Sequence, residues 1–105
     1  MLRIHDDMLD VIRLLRGAMG VLDRRDPDLA RQLRRAASSV VLNLAEGSGS
    51  GGRVRTQRYR TALGSARETV ACLRVAQAFG YLEAVPAGVE ERMNRVVGTL
   101  VRVAA

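Results

Sequence analysis

The amino-acid sequence predicts an all-α protein: an antiparallel, up-down-up-down four-helix bundle forming a single domain over residues 1–105. Apolar residues recur at three- and four-residue spacing in four successive stretches, the links between those stretches are short, and no stretch alternates as a strand would. A chain of 105 residues supplies one core. With 48% apolar but only 3% aromatic residues, that core is built from Leu, Val, Ile, Ala and Met, which suits helices packed at short distance.

The first helix runs from Ile4 to Leu22, with Ile4, Met8, Val11, Ile12, Leu15, Met19 and Leu22 on one side and Asp6, Asp10 and Arg13 on the other. His5 reads as a solvent-facing residue at its start. Gly17 and Gly20 weaken this helix by about 1 kcal/mol each relative to Ala. Asp26-Pro27-Asp28 opens the second helix: Asp26 caps, Pro27 fits the first turn, and Asp28 complements the helix dipole. Leu29, Leu33, Ala36, Ala37, Val40 and Leu44 face inward, and the helix stops near Glu46 at a flexible Gly/Ser connection, residues 47–52.

That connection matches G-x-G-x-x-G at Gly47, Gly49 and Gly52, but a dinucleotide fingerprint needs a preceding strand, and a helix precedes this one. There is no Gly-Lys-Ser/Thr for a Walker loop. The third helix begins between Ser50 and Thr56 and reaches Phe79, capped by Gly80. Tyr59, Leu63, Ala66, Val70 and Leu73 make one stripe and Ala62, Ser65, Thr69, Cys72 and Ala76 a second. Together they cover about half of the helix surface, more than one bundle core demands, and so point to contact with another copy. Gly64 reads as a place where another backbone approaches. The fourth helix starts around Pro86, with Val89, Met93, Val96, Val97, Leu100 and Val103 inward and Arg92, Arg95 and Arg102 opposite.

With the helices placed, the central segment resembles a bacterial family of four-helix bundle proteins, the 23S rRNA intervening-sequence proteins. The resemblance rests on Gln32-Leu33-Arg34-Arg35-Ala36-Ala37-Ser38-Ser39, Asn43-Leu44-Ala45-Glu46-Gly47, Gly64-Ser65-Ala66-Arg67-Glu68 and Phe79-Gly80-Tyr81-Leu82, in that order and at matching spacing. It implies a homo-oligomer, often a pentamer, with no known catalytic activity. The family is also similar to the accessory proteins of diversity-generating retroelements, basic bundles that associate with nucleic acid and a reverse transcriptase. The chain departs from the pattern in Thr69-Val70-Ala71, where relatives carry further Glu and Thr, and in Arg55 and Arg58, where they carry bulky apolar residues.

Charge is the most informative functional feature. All 17 basic residues are Arg, and the formal net charge is +6. Seven of them, Arg31, Arg34, Arg35, Arg53, Arg55, Arg58 and Arg60, fall between residues 31 and 60 with one acid, Glu46, while the remaining ten Arg and ten acids cancel. The entire net charge therefore lies around the Gly/Ser connection, where permanently charged forked guanidiniums suit the phosphates of RNA or DNA. A competing reading gives these Arg to an acidic protein partner, or to acids of a neighbouring copy.

Asn43, Glu46, Ser65 and Glu68, with Arg34 and Arg35 nearby, read as a structural polar network between the second and third helices. An unpaired buried polar group costs about 1–3 kcal/mol, so such residues pair across helices. Two Glu on different helices also suit a di-iron site, but that needs further Glu and Glu-x-x-His ligands, and the one His is His5. Cys72 has no His or Asn partner and reads as a packing residue; Ser48 and Ser50 have no base to activate them. These residues imply no catalysis, no cofactor and no metal. A lone Cys fits a reducing cytoplasm, and no apolar run is long enough to span a membrane.

Overall fold

The computed structural model describes residues 2–105, and those residues form five helices with no strand: α1 (Ile4–Leu14), α2 (Arg16–Arg25), α3 (Pro27–Ser48), α4 (Gly52–Ala78) and α5 (Val89–Val103). The fold class is all-α as predicted, with five helices in place of four. The expected first helix is divided at Leu15, where ψ of −3° flattens one turn although Leu15 still donates its N–H to Val11 O at 2.9 Å and accepts from Met19 N at 2.8 Å.

The α3–α4 and α1–α5 pairs run antiparallel. Along α3 and α4, Tyr81 reaches Asp26, Ser65 meets Ser39, and Tyr59 lies against Gly47. Along α1 and α5, Arg95 meets Asp7 and Arg92 faces Asp10. Arg34 of α3 reaches back to Asp23 of α2, and Arg60 of α4 to Ala104 just beyond α5. One apolar core runs through all of these pairs, from Met8, Val11 and Leu22 through Leu33, Val40 and Leu44 to Ala62, Ala66, Val96 and Leu100, each fully buried.

Caps mark the start of α3 and the end of α4. The Asp26 carboxylate accepts from Leu29 N–H at 3.1 Å with Pro27 in the first turn of α3, as the sequence indicates. At the end of α4, Gly80 adopts a positive φ of 77°, its N–H donates to Gln77 O, and Tyr81 N–H donates to Ala76 O, a Schellman closure.

Other boundaries differ from expectation. Gly47 does not stop α3. It lies inside the helix, and the connection to α4 shrinks to Gly49–Gly51. A Cβ at Gly47 would stand 2.5 Å from Tyr59 Cε1, so the missing side chain makes room for a buried ring. Pro86 precedes α5, which starts at Val89 after Gly88 at φ 89°. At the far end of α5 Val103 is exposed and Ala104 is buried in its stead.

The broad face of α4 is also explained within one chain. Cys72, Ser65 and Tyr59 face α3, while Val70 and Leu73 line the contact with Val89 and Met93 of α5. A helix wedged between two others needs two stripes, so the width of this face does not call for a second copy. Gly64 is exposed, and nothing lies within 4 Å of a Cβ built there, so it is not a close approach within the chain.

Candidate nucleic-acid interface

The α3–α4 turn gathers four of the seven Arg, Arg53, Arg55, Arg58 and Arg60, on the first two and a half turns of α4, all exposed. Three of them have a distinct anchor. Arg58 Nη1 stands 3.0 Å from Glu46 Oε2, the cross-helix pair expected of that acid. Arg55 Nε donates to Gly47 O at 3.2 Å, which also accepts Ser50 N–H at 3.1 Å, and Ser50 Oγ donates to Glu46 O at 2.9 Å, so side chains help to satisfy the carbonyls at the end of α3. Arg60 Nε donates to Ala104 O at 3.2 Å, doing the same for α5. Arg53 has no side-chain partner among the described residues.

A guanidinium carries five N–H donors, and these anchors engage one nitrogen on each of Arg55, Arg58 and Arg60. Arg55 and Arg60 are thus held by the nitrogen nearest the backbone, with their outer amino groups left for a ligand. Cations at the carbonyl ends of α3 and α5 also complement both helix dipoles.

The remaining three Arg do not join this group. Gly47 is level with Tyr59, so Arg31 and Arg35 sit roughly 18–24 Å back along α3, at 1.5 Å per residue. Arg31 pairs with Asp28, and Arg34 forks onto Asp23 at 3.0 and 3.2 Å, a bond that raises the Arg34 pKa further. Arg35 is exposed and has no side-chain partner among the described residues. The sequence-predicted cluster is two patches, one largely unpaired by acids and one in which two of three Arg already face carboxylates.

The expected polar network forms in part and around a residue that was not anticipated. Ser39 on α3 accepts from Ser65 Oγ at 2.8 Å, and Asn43 Nδ2 donates to Ser39 Oγ and Ser39 O at 3.1 and 2.9 Å. Glu46 pairs separately with Arg58, and Glu68 stands apart, exposed, roughly 15 Å from Glu46 along the helix pair. Among the described residues no three His, Cys, Asp or Glu cluster as metal ligands would.

Cys72 is buried. Burial first, and then the charge of Glu68, push its thiol up, so it stays protonated. His5 is largely covered, with 18% of its side chain exposed, contrary to the solvent-facing expectation.

Sequence reasoning also missed Asp7. Its carboxylate is buried between α1 and α5, where Arg95 donates from Nη2 at 2.9 Å and from Nε at 3.2 Å. Those hydrogen bonds hold Asp7 below the usual carboxylate range against the opposing effect of burial. Arg95 therefore turns inward, where the sequence placed it opposite the core. The available signal was position: Asp7 falls on the stripe of Ile4 and Val11.

A family model for the 23S rRNA-intervening sequence protein matches residues 12–101, which takes in the close of α1, all of α2 to α4 and most of α5. The chain belongs to the 23S rRNA-intervening sequence protein family. The solved structure of a protein of unknown function from the S23 ribosomal protein family, from Bacteroides thetaiotaomicron, is similar to this family member at 17% identity and a TM-score of 0.63, over 96% of this chain and 91% of that one. At that identity the likeness concerns the fold. No curated protein matches the chain. Among the described residues no helix is long and apolar enough to cross a membrane.

Proposed function

We propose that this protein is a non-enzymatic, self-associating bundle that holds RNA or DNA by its phosphates at the α3–α4 turn. The observation that carries the reading is the fan of Arg53, Arg55, Arg58 and Arg60, exposed at one end of the molecule with Glu46 as the one acid paired to it. In this reading α1 and α2 act as one rod of an up-down-up-down four-rod bundle, and the protein works in the cytoplasm, where its single Cys72 stays reduced. Repetition of the fan in an assembly multiplies weak phosphate contacts into avidity. Leu42 and Val54, 62% and 55% exposed on α3 and α4, are apolar surface that a second copy would cover.

The test is binding of a labelled oligonucleotide over a salt series. Contact with about four phosphates gives a slope of log affinity against log salt near −3 to −4, and Arg53→Gln flattens it by about one without changing the helical content. Replacing Arg55, Arg58 and Arg60 together by Gln abolishes retention. Affinity that does not fall with salt, or no retention, removes the reading in favour of an acidic protein partner. A light-scattering mass equal to one chain removes the self-association.

A further inference from the structure

We propose that Phe79 and Tyr81 form a stacking platform for an unpaired nucleobase, so that the ligand of this protein is a single-stranded nucleic acid. The proposal rests on the nucleic-acid reading above and adds a second contact far from the first. Phe79 follows the last residue of α4 and Arg53 lies near the first, a separation of about 39 Å at 1.5 Å per residue on a molecule 42 Å long.

The chain has three aromatic residues. Tyr59 is buried against Gly47, and the other two are stacked on each other at this end, ring centroids 5.4 Å apart and planes 20° from parallel. Phe79 is 66% exposed, the most exposed large apolar side chain among the described residues, and it contributes little to the core. Its position is nonetheless fixed. The two hydrogen bonds of the Gly80 closure set the backbone on either side of it, and Tyr81 beneath it is tied by its hydroxyl to Asp26 Oδ2 at 3.2 Å and covered by the Arg25 guanidinium 5.3 Å from the ring centre.

A flat, pre-ordered aromatic surface with an open face suits a planar partner, since every base offers a π-face and little ordering entropy remains to be lost. Phosphates on either side of a stacked base need cations, and Arg24 and Arg25 at the end of α2 are exposed with no ion-pair partner among the described residues. The acids beside them are already engaged: Asp26 by Leu29 N–H and the Tyr81 hydroxyl, Asp23 by Arg34, and Asp28 by Arg31. Glu83 is the free carboxylate of the connection that follows. A base inside a duplex cannot reach such a platform, whereas an unpaired base can.

The experiment measures fluorescence anisotropy of labelled 12-nucleotide probes at low salt: single-stranded DNA, single-stranded RNA, the matching duplex, and an abasic strand of equal charge. The wild type is expected to hold either single strand more tightly than the abasic strand. Phe79→Ala is expected to weaken single-strand binding by roughly tenfold or more, leave the duplex and abasic strand unchanged, and keep the helical content, while Phe79→Trp restores the affinity. Single-strand binding that is indifferent to Phe79→Ala yet lost on replacing Arg55, Arg58 and Arg60 overturns the platform alone. Failure of the wild type to hold any probe overturns the underlying reading as well.

Discussion

The two antiparallel seams of this molecule are built by opposite means. Between α3 and α4 the contact is made of small residues and hydroxyls: Ala36, Ala62 and Ala66 are buried, Ser39 meets Ser65, and Gly47 yields its whole side-chain volume to Tyr59. Between α1 and α5 the buried residues are larger, Met8, Val11, Val89, Met93 and Val96, and the margin is ionic, with Asp7 forked by Arg95 and Asp10 facing Arg92 at 3.8 Å. The first seam depends on volume and the second on charge. Volume is indifferent to pH and intolerant of added atoms; charge is the reverse.

The largest effect should come from filling the first seam. Gly47→Ala gains about 1 kcal/mol of helix propensity but drives a methyl into a buried ring at a cost of about 1–3 kcal/mol, so a net loss of up to about 2 kcal/mol is expected in denaturant unfolding, constant across pH. A stability equal to or above that of the wild type would show that Tyr59 moves aside easily.

Asp7→Asn tests the second seam, with a smaller loss at neutral pH. Because the folded-state pKa of Asp7 lies below its ordinary value, the contribution of the carboxylate is complete above about pH 5 and fades as the pH falls through the depressed titration. The melting temperatures of variant and wild type should therefore converge as the pH falls below the usual carboxylate range, and a gap that stays constant would deny the ionic account. Gly64→Ala is the mildest change. Its Cβ meets nothing within 4 Å, so a gain of up to about 1 kcal/mol is expected. If the gain is accompanied by a fall in assembly mass, that face meets another copy.

These two glycines also mark how far the sequence could be read. Helix class, the Asp26 cap, the Gly80 closure and nearly all inward positions follow from periodicity and local chemistry, and they stand in the structure. Gly47, expected to end a helix, is a close approach instead, and Gly64, expected to admit another backbone, meets none from its own chain. A glycine announces the absence of a side chain but not what lies opposite, and that depends on the register of two helices.

The same limit applies to charge. Arg31, Arg34 and Arg35 lie near Arg53 in sequence order but a long way from it in space, because a helix carries its start away from its finish. Ser39 and Asp7 were hidden for a related reason, since their partners Ser65 and Arg95 come from other helices.

The flattened turn at Leu15 has a consequence for how the molecule comes apart. It assigns the two halves of the first rod to different hosts, α1 to α5 and α3, and α2 chiefly to α3. α2 carries Gly17 and Gly20 and buries only Ala18 and Leu22. It can therefore fray as a unit of its own while the rest stays folded, and as it frays it takes Arg25 off the Tyr81 ring. This weakly buried segment and the Tyr81 ring are thus mechanically linked.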